Sequence, residues 1–533
     1  MRVSLSFVII PLLIISCVGK SEPSPKINFQ RLKLEETGIE FNNKLHYNED
    51  FNIFLYRSFY NGAGVGMGDF NNDGLQDIFF CGNQVDNKLY LNLGDFKFKD
   101  ITEAAGLVSS GSWSTGVSIV DVNADGWLDI YVCKSGNPET KNRRNELFIN
   151  SGRLDANGVP RFLNEAAEWG IDDLGLSVNA TDFDRDGDLD IYLLNNSITP
   201  TEIVLDAKKG LRNIYDEQGG NKLYENIGNK YIDITKGAGI YGSAIGFGLG
   251  LSIGDVNKDG WDDIYVANDF FEKDYLYYNN KDGTFTEALE QSMNEISQGS
   301  MGVDIADLNN DGLPEIFVTE MLPYGNERLK TKIHFDSWDT YMLRLKNGYY
   351  RQFPRNTLQL NQGLKPFDSL ATFTEVSRFS NTAASEWSWG VHILDLDNDL
   401  QKEIFVTNGI VKDLFDQDYV DFYSDPIKLN MIYKEKGAVI KELVDNLPSV
   451  PISNHLYEMD ENMHFTEVAK NWGLADPSFS TGAAFGDLDN DGDLEIITNN
   501  IDDYASVFEN TSSETNNYLT VKFDGSSKNN QGI

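Results

Sequence analysis

The sequence predicts an all-β chain folded as a seven-bladed β-propeller with partly helical insertions on one face, and three observations predict it. A ten-residue pattern recurs seven times. A glycine-bearing strand precedes each copy and an apolar strand follows it, and a second pattern downstream reads as two more short strands. Four antiparallel strands per unit, repeated at this length, make a propeller.

The copies are DFNNDGLQDI at 69, DVNADGWLDI at 121, DFDRDGDLDI at 182, DVNKDGWDDI at 255, DLNNDGLPEI at 307, DLDNDLQKEI at 395 and DLDNDGDLEI at 487. Their spacings are 52, 61, 73, 52, 88 and 92 residues, so a unit of about 50 residues carries insertions of unequal length. Oxygen donors stand at positions 1, 3, 5 and 9 of every copy. They are Asp69, Asn71, Asp73 and Asp77; Asp121, Asn123, Asp125 and Asp129; Asp182, Asp184, Asp186 and Asp190; Asp255, Asn257, Asp259 and Asp263. The last three copies supply Asp307, Asn309, Asp311 and Glu315; Asp395, Asp397, Asp399 and Glu403; Asp487, Asp489, Asp491 and Glu495.

Hard oxygen donors at alternating places on a tight loop suit Ca²⁺, which takes six to eight oxygens at flexible geometry. Gly at position 6 permits the φ > 0 turn that folds the loop around an ion, and position 7 would add a backbone carbonyl. Acidic, solvated turns are the alternative, but they do not explain why Asp at 1 and 5, an acid at 9 and Ile at 10 hold in all seven copies. Up to seven Ca²⁺ sites are expected. The sixth departs from the pattern: Leu400 replaces the glycine, at roughly 1 to 2 kcal/mol if φ stays positive. An EF-hand would need a bidentate acid at position 12 and flanking helices. Position 12 is instead Phe80, Val132, Leu193, Val266, Val318, Val406 or Thr498, inside an apolar strand.

Segments such as NKLYLNLGDFKFKDITEAAGL (87–107), NKLYENIGNKYIDITKGAGI (221–240) and NHLYEMDENMHFTEVAKNWGL (454–474) supply the third and fourth strands. With strands lettered A to D from the channel outwards, the A–B turns put every acidic loop on one face. The long insertions 197–220, 321–355 and 409–453 fall between strands B and C and belong to the opposite face. After the seventh loop only three strands precede the tail, whereas INFQRLKLEETGIEF (27–41) mimics a strand D. It is expected to pair beside 505–510 and close the ring, since open edges are a liability.

With 44 Lys+Arg against 83 Asp+Glu the net charge is −39, which argues against nucleic acid and a bare anionic membrane as partners. At 41% hydrophobic and 12% aromatic residues the chain still builds a core. Arg2, the apolar run Leu5 to Ile15 and Ser16-Cys17 read as an export signal too short to span a bilayer. Segment 1–17 resembles a bacterial lipoprotein signal whose Cys17 becomes lipidated, with 18–26 as a tether; an ordinary signal peptide is the alternative. Cys81 and Cys133, at equivalent places in neighbouring repeats, are expected to be buried thiols.

The D-x-[ND]-x-D-G-x-x-[DE]-I loops after Gly-rich strands resemble the FG-GAP or VCBS repeats of integrin α-subunit propellers and bacterial surface proteins. NNYLTVKFDGSSKNNQGI (516–533) is similar to the opening of the ASPIC/UnbV domain of the cartilage acidic protein-like family. The resemblance implies a propeller over 27–511 followed, from 512–533, by an incomplete second domain.

Function is read as binding: a calcium-binding, lipid-anchored cell-surface propeller for an extracellular protein or glycan, with no catalytic residues assigned. A propeller enzyme acting on extracellular carbohydrate is the alternative. It would need acids on the insertion face, such as Asp336 and Asp339. The only G-x-S-x-G match, 250–254, lies in a strand and so lacks the strand-to-helix context of a nucleophile. The five histidines have no metal-binding spacing. Trp338, Tyr341, Tyr349, Tyr350 and Phe353 sit among basic residues and either form a ligand face or fold the insertion onto the propeller.

Overall fold

The computed structural model describes residues 29–108, 113–136, 143–175, 177–197, 207–332, 336–365, 367, 369–424, 439–512, 518–519 and 521. The signal segment with Cys17, the tether and nearly all of the tail lie outside the described residues.

Seven four-stranded antiparallel sheets form the seven blades. Blade 1 runs Val65–Gly68, Asp77–Phe80, Lys88–Asn92 and Phe98–Asp100, and blade 2 runs Trp113–Val120, Asp129–Ser135, Glu146–Leu154 and Pro160–Asn164. Blade 3 is Ser177–Thr181, Asp190–Leu194, Lys222–Asn226 and Tyr231–Asp233; blade 4 is Gly248–Gly254, Asp263–Asn268, Tyr275–Asn279 and Phe285–Glu287. Blade 5 is Val303–Ala306, Glu315–Val318, Thr357–Leu364 and Ala371–Glu375; blade 6 is Ser388–Leu394, Glu403–Asn408, His455–Met459 and Phe465–Glu467. Blade 7 takes Ser480–Gly486, Glu495–Asn500 and Ser506–Asn510 from the end of the chain and its outer strand, Phe29–Arg31, from the beginning.

The inner strands contact one another in turn around the ring, and blade 7 meets blade 1. Glycines in strand A or at its entrance allow this approach at the crowded centre. A Cβ on Gly302 would stand 2.5 Å from the Trp389 carbonyl oxygen of the next blade, and one on Gly482 would stand 2.7 Å from that of Ala63. Strand B is buried on both faces, which is why the residues after its position-9 acid, IFF in blade 1 and IFV in blade 5, read as unbroken apolar runs.

Apolar clusters lie between blades. Phe79 and Leu89 of blade 1 pack with Ile130, Val132 and Phe148 of blade 2. Phe29 packs with Phe405 and Leu456 of blade 6 and Ile496 and Phe508 of blade 7. Cys81 and Cys133 are buried thiols, as expected.

The three long insertions lie between strands B and C, as the spacing predicted. Ile296–Ser297 and Gln352–Phe353 form a two-stranded parallel sheet that pins the insertion of blade 5 to the connection entering that blade. No described helix is long and apolar enough to cross a membrane.

Candidate metal loops and a cavity on the opposite face

All seven acidic loops adopt one backbone form. Position 6 has φ between 76° and 96° throughout, and Leu400 holds 76° where the others use Gly. Position 4 is also left-handed in every loop, at Asn72, Ala124, Arg185, Lys258, Asn310, Asn398 and Asn490. Two left-handed residues curl each loop so that its N–H groups point inward. In the first, Asp69 accepts from the Asp73 N–H at 3.0 Å and the Gly74 N–H at 2.8 Å, and Asp73 accepts from the Leu75 N–H at 3.0 Å.

The position-9 acid ties the loop to the sheet. Asp77 accepts from the Phe70 N–H at 3.1 Å and, through its other oxygen, from the Asn92 N–H at the end of strand C at 2.8 Å. The Asn92 side chain then donates to the Leu488 carbonyl in the loop of blade 7 at 2.9 Å. Asn150, Asn279, Asn361 and Asn510 likewise reach the position-2 carbonyls Phe70, Phe183, Val256 and Leu396 of the preceding blades. This latch was missed in the sequence. Its signal is there: Asn stands at the corresponding place in strand C in six units, at 92, 150, 226, 279, 361 and 510, and Met459 in the other.

Burial raises every position-9 carboxyl, and the charges of the neighbouring loop acids push it further. Asp77, Asp129, Asp190 and Asp263 reach about 8, Glu315 about 7, and Glu403 and Glu495 about 9. A positive charge beside such a carboxyl would favour its ionised form.

The donor set fits a hard divalent cation. In the three loops whose third position is Asp, carboxylate oxygens of Asp182, Asp184 and Asp190, of Asp395, Asp397 and Asp399, and of Asp487, Asp489 and Glu495 lie within 4.8 Å of one another. Oxygens bound to one calcium at 2.3–2.6 Å stand no further apart than about 5 Å. The Asp182 Oδ1 atom is buried without a hydrogen-bond partner in the structure.

On the opposite face, where strands B end and strands A begin, a cavity of about 540 Å³ opens at the channel mouth. Blades 4 and 5 each contribute an acid at the end of strand B, Asp269 and Glu320. Both come within 3.3 Å of where a Cβ on Gly299 would sit. Burial pushes Asp269 up to about 6, while the nearby Arg57 charge pulls it down, and burial with the Asp269 charge pushes Glu320 up to about 8. These acids were not singled out from the sequence. Their signal is a departure from the repeats, which elsewhere place Gly, Asn, Lys, Ser or Ile at the corresponding positions 14 and 15.

The described aromatic residues of the blade 5 insertion do not line this cavity. Tyr349 is buried, the Tyr350 hydroxyl donates to the Met293 carbonyl at 2.8 Å, and Phe353 lies in the pinning strand beneath Arg355. Tyr341 stacks on Phe353 at 5.7 Å, and Trp338 is 71% exposed. Of the acids expected there, Asp336 is held by Arg344 and by Gln298 at 3.2 Å, and Asp339 is exposed in the first turn of helix Trp338–Asn347. The G-x-S-x-G match lies wholly within strand Gly248–Gly254.

A family model described as an FG-GAP-like repeat matches residues 69–132, 255–318 and 450–498. Cartilage acidic protein 1 of Xenopus tropicalis is 30% identical over 135 residues, 25% of this chain and 20% of that protein. Integrin alpha-6 of Homo sapiens is 33% identical over 88 residues, 14% of this chain and 8% of that protein. The chain therefore spans about a fifth of the length of the cartilage acidic protein it matches. The crystal structure of the V. cholerae biofilm matrix protein Bap1 aligns at 12% identity over 91% of each chain with a TM-score of 0.38, too loose a likeness to carry an argument. The chain is thus a seven-bladed propeller that carries FG-GAP-like repeats in three matched stretches and is similar over a quarter of its length to cartilage acidic protein 1.

Proposed function

We propose that the chain is a calcium-stabilised binding or adhesion module displayed outside the cell, its ions on one face of the ring and its partner, an extracellular protein or glycan, on the other. The observation that carries the calcium reading is the recurrence of one oxygen-lined loop seven times, each with a buried acid whose ionisation is unfavourable without a cation. The 28 residues at positions 1, 3, 5 and 9 of the seven loops would hold the ions. Bound calcium would neutralise those carboxylates and tie the A–B turns together. A ligand bound only by the folded state stabilises it by mass action. Melting in excess EDTA and in millimolar Ca²⁺ tests this: a clear rise of Tm with calcium is expected, and coincident curves would refute the reading.

Anchoring through a lipidated Cys17 belongs to the same proposal. It rests on the apolar run ending in Ser16-Cys17. Mass spectrometry of the membrane-extracted protein should find an acylated Cys17 at its N-terminus, and Cys17→Ser should abolish the modification. An unmodified N-terminus elsewhere refutes the anchor and leaves the calcium reading standing. Binding is preferred to catalysis because Asp336 and Asp339, the acids that the carbohydrate-enzyme reading called for, are paired off in one case and exposed in the other.

A further inference from the structure

The cavity at the channel mouth carries features that neither the repeats nor the calcium loops need. Two buried polar atoms at residues lining it have no hydrogen-bond partner in the structure, Glu320 Oε2 and Trp387 Nε1. Glu320 is only 4% exposed. An unpartnered buried polar group costs roughly a full desolvation penalty, so a ligand that pairs with it has something to gain. Phe270, another lining residue, holds φ at 63°, a left-handed conformation that bulky side chains avoid. Its N–H bonds to Asp269 at 2.6 Å, and the Arg57 guanidinium lies 5.5 Å from its ring centroid. Backbone strain of this kind persists where the surroundings enforce it and gathers at ligand sites.

We propose that this cavity binds an uncharged saccharide, with Trp387 and Glu320 meeting its hydroxyl groups and the aromatic rim packing on its C–H face. The inference rests on the binding-module reading and names its ligand class. Three considerations select that class. The indole N–H only donates, whereas a protonated carboxyl both donates and accepts, and a hydroxyl-bearing ligand supplies every complement. The charge is balanced within the cavity: Arg57 faces Asp269, and burial keeps Glu320 largely protonated near neutral pH, so an ionic ligand finds no unpaired countercharge. The rim is apolar and open, with Phe54 44% and Phe415 41% exposed, and Phe415 stacks on Trp387 at 5.0 Å. A cavity of about 540 Å³ with mostly apolar walls and a few convergent polar groups is of the size and character that small-molecule sites have.

The full-length chain in millimolar Ca²⁺ is applied to an array of neutral oligosaccharides alongside sulfated, uronic-acid and amino-sugar glycans. The strongest neutral glycan on the array is then titrated against tryptophan fluorescence. The expected result is saturable binding of a neutral glycan. Trp387→Phe, which removes only the N–H and part of the ring, should weaken it by roughly fivefold, and Phe415→Ala, at the exposed rim, by roughly threefold. Both variants should keep the wild-type melting temperature in Ca²⁺ to within a few degrees. Leu400→Gly, on the far face, should bind as wild type. The proposal is overturned if no neutral glycan binds, if only charged glycans bind, or if both cavity variants bind unchanged. A charged-glycan or protein ligand would overturn the saccharide proposal and leave the binding-module reading intact, while an absent calcium effect would strike only the calcium half of that reading.

Discussion

Phe29 stands opposite Asn510 as the first pair of the outer ladder of blade 7, so the two ends of the propeller are joined by backbone hydrogen bonds. Gln30 faces Glu509 and Arg31 faces Phe508 in the same register, and the Phe29 N–H also donates to the Trp472 carbonyl of the preceding blade at 2.9 Å. Phe29, Ile39 and Phe41 are buried at 1%, 2% and 3% exposure, which makes the segment part of two interblade cores. Deleting 29–41 should therefore lower the stability of the whole ring in one cooperative transition. Phe29→Ala alone should cost about 3 to 5 kcal/mol. Denaturant midpoints equal to wild type for both would mean that closure lies elsewhere.

Leu400 is the one residue in the seven loops that holds position 6 at positive φ without being glycine, at 76° and 79% exposed. Its N–H donates to Asp395 at 2.9 Å and its carbonyl accepts from Asn310 at 2.7 Å, bonds that need no side chain. Leu400→Gly relieves a strain of roughly 1 to 2 kcal/mol and loses part of that to the greater freedom of the unfolded chain. A net gain of about 1 kcal/mol is expected in calorimetry. A destabilised variant would show that the leucine side chain makes a contact worth more than its strain.

Asn279 tests the latch between blades. Its side-chain N–H groups donate to the Phe183 carbonyl of blade 3 at 3.0 Å and to the backbone carbonyl of Asp262 at 3.3 Å, and its oxygen accepts from the Lys281 N–H at 2.9 Å. All of this is lost in Asn279→Ala, which leaves buried carbonyls unpaired, so a loss of about 1 to 3 kcal/mol is expected. The neighbouring exposed Asn280→Ala should cost well under half as much. Equal effects of the two would remove the latch from the account.

What could be read beforehand follows from what repeats. Asp77, Asp129 and their counterparts recur at fixed spacing because each solves the same local problem, and the blade count, the loop form and the face of the insertions followed from them. Phe29 was legible because it opens a second copy of the strand D signature. Position 4 of the loops was not: Asn72, Ala124, Arg185 and Lys258 share a backbone conformation but no side-chain type. Asp269 and Glu320 belong to different blades and meet only when blades 4 and 5 pack together, so no local pattern pairs them. The Trp338 to Phe353 stretch announced its composition but not its direction, and the structure spends Tyr349 and Tyr350 on packing while leaving Trp338 in solvent.

His455 should make the fold acid-sensitive. The ring is buried between Tyr324, 5.1 Å away, and Tyr457, 5.7 Å away, with Nδ1 3.2 Å from the Tyr457 hydroxyl. Burial pushes its pKa from 6.5 down to about 4. Between those values the unfolded chain takes up a proton that the folded chain refuses, so stability is intact above pH 6.5 and falls as the pH drops towards 4. The loop carboxyls work in the opposite sense when no metal is bound. Their folded values lie above the unfolded ones, so acid favours the fold through them. Wild type and His455→Phe must therefore be compared in EDTA, where the carboxyl contribution is common to both and cancels in the difference. The variant removes the titration and keeps an aromatic ring. Between pH 7 and 4.5 the wild type should lose about 2 to 3 kcal/mol more than the variant. Parallel pH profiles would show that His455 accepts a proton in place, and that its surroundings are wetter than the two tyrosines imply.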